Sequence, residues 1–152
     1  MTKQDTIYRK LSELAVGSAL NSGGFGRLPH NLVGGIVGVS DYGDRYPELY
    51  VEKEGRIRPF DFGASVLNSA VGHCSIVYNL RGPQFQLTAA DETSIHFAEP
   101  DRSFSYAIKL AKTQIAAQRA QLMVVLIFKD EERTALAMVL YDGEIVGSAR
   151  RV

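Results

Sequence analysis

The chain has 152 residues, 45% of them apolar and 22% charged, which is the balance of a globular domain and not of a disordered or fibrous chain. Seventeen Lys and Arg residues against seventeen Asp and Glu residues leave a formal charge of zero, so no net positive field exists to draw in nucleic acid or an anionic membrane. One cysteine, Cys74, excludes an internal disulfide and a multi-cysteine zinc site. The first residues lack the apolar core of a signal peptide, and no apolar run reaches membrane-spanning length. The expectation is a single cytoplasmic domain over residues 1–152.

In chain order, residues 5–20 predict an amphipathic helix capped by Asp5 or Thr6, with Ile7, Leu11, Leu14 and Ala15 as its apolar stripe and Arg9 and Glu13 off it. The run Asn21-Ser-Gly-Gly-Phe-Gly26 ends it, because glycine adopts positive φ readily. Gly34–Ser40 (GGIVGVS) is short, glycine-flanked and apolar, as suits a buried strand. Residues 41–61 read as an exposed connection. Phe62–Leu80 predicts a second helix, buried on most sides, whose small residues permit close backbone approach.

Arg81-Gly82-Pro83 breaks that helix, and Phe85–Thr88 alternates as a strand. A third helix is predicted from Arg102 to Arg119, with Asp101 as its cap. Phe104, Ile108, Ala111 and Ile115 would be buried, and Lys109 and Thr113 solvated. Leu122–Phe128 is the strongest strand signal. Thr134–Tyr141 suits an antiparallel partner for it, and Asp142-Gly143 predicts a two-residue hairpin into Glu144–Val146. This order implies an α/β layered domain with a mixed sheet.

Residues with chemical potential are few. Cys74 falls mid-helix among apolar neighbours, where a thiol behaves as a small hydrophobe with a raised pKa. His73 reads as a satisfied interior histidine, and His30 lies in a Pro-His-Asn loop. His96 lies near Asp91, Glu92 and Glu99, in a stretch that reads as a solvated loop or as a carboxylate–histidine acid/base site. The three histidines have no metal-ligand spacing. The glycines at 23, 24, 26, 34, 35 and 38 do not make a dinucleotide fingerprint, because Pro29 occupies the third glycine position. They read as turn and close-packing glycines. Lys53, Arg56 and Arg58 form a small basic group diluted by Glu52 and Glu54.

The stretch Asn68-Ser-Ala-Val-Gly-His-Cys-Ser-Ile-Val-Tyr-Asn-Leu-Arg-Gly-Pro83 resembles the N-terminal domain of β-ketoacyl synthases. There a buried helix carrying Gly-His leads into a Leu-Arg-Gly-Pro turn. Gly35-Ile-Val-Gly38 is similar to the strand before that family's long connection. Ser65-Val-Leu-Asn-Ser-Ala-Val-Gly72 and Asp101-Arg-Ser-Phe104, followed by Ala107, are similar to the divergent chain-length-factor-like branch of polyketide and aryl polyene systems.

The resemblance implies a truncated thiolase-like fold, the N-terminal half of a ketosynthase, and no cofactor. It also implies that the strand after the turn pairs antiparallel with its counterpart across a dimer two-fold. Gln84, Phe85, Gln86, Leu87 and Thr88 would form that interface. The expected partner is a second copy, a ketosynthase or a chain-length factor, with an acyl carrier protein as a further candidate at the Lys53, Arg56 and Arg58 group. The family's nucleophile position falls on Asp91, Ala90 or near Pro100, depending on the anchor, and none of these is cysteine or serine. Decarboxylative condensation needs a thiolate and enolate-stabilising donors, so the expectation is a pseudoenzyme acting by partner binding. The alternative is a small decarboxylase or hydrolase of acyl thioesters that uses Asp91 and His96.

Overall fold

The computed structural model describes residues 3–40, 54–56, 68–88, 100–129 and 132–152. Its elements are α1 (Lys3–Ser22), β1 (Gly34–Ser40), α2 (Ser69–Val77), β2 (Gln84–Thr88), α3 (Pro100–Ala116), β3 (Leu122–Lys129), β4 (Thr134–Tyr141) and β5 (Glu144–Arg151). The five strands make one mixed sheet in the order β2-β1-β3-β4-β5. β1 runs parallel to both β2 and β3, and β4 and β5 continue antiparallel.

This order places the helices. From β1 the chain steps outward to β2, then returns past β1 to β3, and two crossovers of the same hand in opposite directions put their helices on opposite faces. α2 and α1 accordingly cover one face, around Ile36, Val71, Cys74, Leu126, Phe128 and Val139. α3 covers the other, around Val37, Val39, Ala107, Ala111, Met123 and Val125. β1 and β3, enclosed from both sides, are buried along almost their whole length. That enclosure explains their unbroken apolar runs.

The glycines of β1 answer to packing. A Cβ at Gly35 would lie 2.4 Å from Pro83 O and 2.7 Å from Met123 Sδ, and one at Gly38 would lie 2.4 Å from Val71 Cγ2. The β4–β5 hairpin turns on Asp142 and Gly143, whose φ values of 54° and 83° are both positive, as a type I′ turn requires. β5 continues to Arg151, beyond the expected Val146.

Three helices end in the same way, and only one of them does so on glycine. Gly24 (φ 85°), Asn79 (φ 59°) and Gln118 (φ 59°) are left-handed. Phe25 N–H donates to Leu20 O at 2.8 Å, Leu80 N–H to Ser75 O at 2.8 Å and Arg119 N–H to Gln114 O at 3.0 Å. This is the Schellman closure. It corrects two expected ends: α2 stops at Val77 and not Leu80, and α3 stops at Ala116 and not Arg119. Asn79 and Gln118 turn the chain before the breakers that the sequence advertises. The α3 start moves from Arg102 to Pro100, a residue favoured in a first turn.

The buried stripe of α1 is also rotated from expectation. Leu14 is 42% exposed, whereas Tyr8 is 1% exposed and packs on Phe128 with the rings tilted by 56° and their centroids 4.7 Å apart. The helix lies against β4, β5 and α2 together, so its buried face widens to Tyr8, Ser12, Ala15, Val16, Ala19 and Leu20. Among the described side chains of α3, which exclude Phe104, the deepest are Ala107, Ala111 and Gln114, with Ile108 and Ile115 only half-buried. Small residues bring this helix close to the sheet, and the larger ones splay to its flanks. Of the expected Phe62–Leu80 helix, residues 62–67 lie outside the described residues, as does most of 41–61.

Candidate partner interface

The Leu80-Arg81-Gly82-Pro83 stretch folds as a corner that delivers β2 to the sheet margin, and each of its residues has a mechanical role. Leu80 is buried at 1% exposure. Arg81 donates from its guanidinium to His30 O. Gly82 N–H donates to Gly34 O at 2.7 Å, and a Cβ there would lie 2.9 Å from that same oxygen. Pro83 O accepts from Ile36 N–H at 2.9 Å.

That last bond fixes the polarity of β2. In a parallel pair a residue bonds to the two neighbours of its aligned partner, and Ile36 is aligned with Gln84. Phe85 and Leu87 therefore turn their backbone groups toward β1. Gln84, Gln86 and Thr88 turn their N–H and C=O outward, where no described strand pairs with them. The side chains alternate accordingly. Phe85 and Leu87 pack into the α3-side core, while Gln84 Nε2 donates to Leu80 O at 3.4 Å and Gln86 Nε2 to Leu87 O at 3.1 Å. The carboxamide oxygen of Gln86 is buried with no hydrogen-bond partner. An edge strand with no charged side chain, and with an outer ladder that no described strand fills, is a template for a further strand.

Cys74 and His73, adjacent in sequence, separate cleanly. Cys74 is fully buried in the α1/α2-side core, and burial, reinforced by the Glu13 carboxylate, pushes its thiol from 9.0 up to about 12. A thiol so placed is neither ionised nor reachable at neutral pH. His73 is not interior as expected: its side chain is 31% exposed, with Nε2 3.3 Å from Glu13 Oε1. Successive helix positions point about 100° apart, so with Cys74 turned inward His73 falls at the seam with α1. There Tyr78 donates its hydroxyl to Glu13 O at 2.8 Å, and a Cβ on Gly17 would meet that hydroxyl at 2.3 Å.

Asp91, His96, Glu92, Glu99 and Ala90 lie outside the described residues, as do Lys53 and Arg58. Arg56 is exposed. Among the described residues no group of His, Cys, Asp and Glu could hold a metal ion, and no helix is long and apolar enough to cross a membrane. An open recess of about 510 Å³ lies beside the Asp142–Gly143 turn, lined by Ile115, Gln118, Ala120, Gln121, Tyr141 and Asp142. Its described lining brings one carboxylate, Asp142, and one phenol, Tyr141, among amides and apolar groups.

No family model matches the chain, and no curated protein matches it. Among solved structures it is similar to a chain of the ketosynthase ApeO in complex with its chain length factor ApeC from Xenorhabdus doucetiae. That match has a TM-score of 0.48 and 26% identity, and covers 81% of this chain and 48% of that one. The likeness is to a ketosynthase assembly. The chain thus spans about half the length of the chain it matches.

Sequence reasoning missed Arg27. Its Nη1 donates to Ile76 O at 3.0 Å and Val77 O at 2.7 Å, placing a cation on the carbonyl end of α2. No spacing signal links position 27 to position 77, because the contact is made only when the loop after α1 folds back.

Proposed function

We propose that the chain is a non-catalytic ketosynthase-like subunit that acts by pairing β2 with a partner strand, in assembly of polyketide, aryl polyene or fatty-acid type. The partner is a second copy or a ketosynthase or chain-length-factor chain. The observation that carries this reading is the outer margin of β2, which no described strand covers: five residues without charge, delivered by the Leu80–Pro83 corner, with the backbone groups of Gln84, Gln86 and Thr88 directed outward. The inward burial of the chain's one cysteine supports it, since acyl transfer by the family's chemistry needs an exposed, activated thiolate.

Sedimentation equilibrium of the purified chain, with co-purification against ketosynthase-type chains, tests the proposal. The expected result is a stable homodimer or heterodimer that Gln86→Pro dissociates, because proline removes an outward N–H while leaving the bonds to β1 in place. A chain that stays monomeric and captures no ketosynthase overturns the reading. Acyl-thioester turnover that disappears in Asp91→Asn or His96→Ala would replace it with a decarboxylase or hydrolase.

A further inference from the structure

The loop between α1 and β1 makes more long-range polar contacts than a simple connection needs, and nearly all of them go to one place. Arg27 donates to Ile76 O and Val77 O. Leu28 N–H donates to Tyr78 O at 3.0 Å, and Asn79 Nδ2 donates back to Leu28 O at 2.9 Å. Arg81 donates to His30 O. Every residue from Ile76 to Arg81 except Leu80 is thus held by residues 27–30 through a hydrogen bond, and Leu80 is held by burial. At its far end the loop is fixed to the sheet, where Val33 N–H donates to Gln121 Oε1 and Gln121 N–H to Val33 O, both at 2.8 Å.

These bonds bracket the run that leads into β2. On its own β2 is only five residues long, with one neighbouring strand among the described residues, and a short strand of that kind has little to fix its direction or height. From these contacts we infer that residues 27–33 form a clasp that sets the position of β2 for partner pairing, and that Arg27 and Arg81 are positioning residues for that interface. This rests on the reading of β2 as the pairing edge. Both arginines are exposed, and their side-chain hydrogen bonds go to Ile76 O, Val77 O and His30 O, outside β2. Their influence passes through the carbonyls at the end of α2 and through the corner. Arg27 is suited to the task because one guanidinium nitrogen bridges two successive carbonyls that α2 leaves without helical donors.

The test uses the full chain with Arg27→Ala, Arg27→Lys and Arg81→Ala, read by two measurements. Amide hydrogen exchange at concentrations where the chain is monomeric follows Phe85 and Leu87, whose N–H groups face β1. Exchange there is expected to speed up about tenfold or more on loss of the charged donor at Arg27. Val125 and Val139, in the neighbouring strands, are expected to keep wild-type rates. Sedimentation is expected to show a matching rise in the dissociation constant of the dimer, partly restored in Arg27→Lys. Wild-type exchange at Phe85 and Leu87 in both alanine variants overturns the clasp, and so does equal loss of protection in β2, β3 and β4. If the unmodified chain never associates, pairing at β2 fails, while the exchange arm still decides whether the clasp holds the strand.

Discussion

At one margin of the sheet, β5 carries Glu144, Arg150 and Arg151 and a register irregularity opposite Val139 and Leu140 that leaves Val146 as the extra residue. At the other margin, β2 carries no charge at all. β5 is also tied down from the side. Ser148 N–H donates to the Ser22 hydroxyl at 3.0 Å, and a Cβ at Gly147 would fall 2.3 Å from Ala19 O, so the end of α1 presses directly on the strand. Charges, a bulge and a covering helix are the usual means by which an edge is closed to a further strand. Among the described residues, one edge of this sheet is guarded and the other is not.

That contrast can be broken most directly at β2. Gln86→Pro is expected to weaken partner binding by about a hundredfold or more, since a two-fold pairing loses the outward donor in both copies. Sedimentation equilibrium measures this, and a circular dichroism spectrum unchanged from the native one confirms that the fold survives. Dimerisation that persists in Gln86→Pro and is lost instead on altering β5 would reverse the assignment of the edges.

Glycine substitutions loosen each edge separately. Gly35→Ala drives a Cβ into Pro83 O and Met123 Sδ, and Gly147→Ala drives one into Ala19 O and Gly23 N. Overpacking against backbone should cost about 1–3 kcal/mol in each case, read from urea denaturation midpoints. Hydrogen exchange should open β2 in the first variant and β5 in the second. Gly72 in α2 has nothing within 4 Å of its Cβ position, so Gly72→Ala is expected to stabilise by about 0.5–1 kcal/mol through helix propensity. Stabilisation in all three would show that neither margin is as tightly packed as its geometry indicates.

A pH titration probes the α1–α2 seam behind the proposed interface. The Cys74 thiol is pushed to about 12 by burial, and the Tyr78 phenol is likewise pushed from 10.0 to about 12, by burial and then by the Glu13 carboxylate. Both groups are neutral acids whose folded values exceed their unfolded ones, so the folded state binds more protons between the two values. Their contribution to stability is therefore full below pH 9.0 and falls as pH rises toward about 12. Urea midpoints across that window check the sign. Below pH 9.0 Cys74 should resist a thiol reagent in the folded protein and react once the chain is unfolded. The smallest effect is expected at the guarded edge, where Arg150→Thr with Arg151→Thr should leave stability nearly unchanged but raise light scattering at high concentration.

Much of the fold was legible in the chain because local chemistry and tertiary demand agreed. The GGIVGVS and LMVVLIF runs are strands wherever they are buried on both faces. Asp142-Gly143 supplies two positive φ angles in adjacent residues, and the Gly-rich end of α1 closes it without strain. Where a helix stop rests on Asn79 or Gln118, composition gave no such signal, since those residues take the left-handed conformation only when the next turn is pulled into place. The outline of β2 was likewise visible, through the Leu-Arg-Gly-Pro corner and the alternation after it.

What tertiary structure alone decided was direction and exposure. That β2 lies at a margin and not in the middle of the sheet depends on the two crossovers, which no periodicity records. The outward turn of Gln84 and Gln86 follows from a register set by one bond between Ile36 and Pro83. The depth of Cys74, the half-exposed place of His73 and the grip of Arg27 on the end of α2 follow from how α1 and its loop pack across the sheet. Period and turn chemistry act over a few residues and can be read from the sequence. Contacts between residue 27 and residue 77 are settled only by the packing of the whole domain.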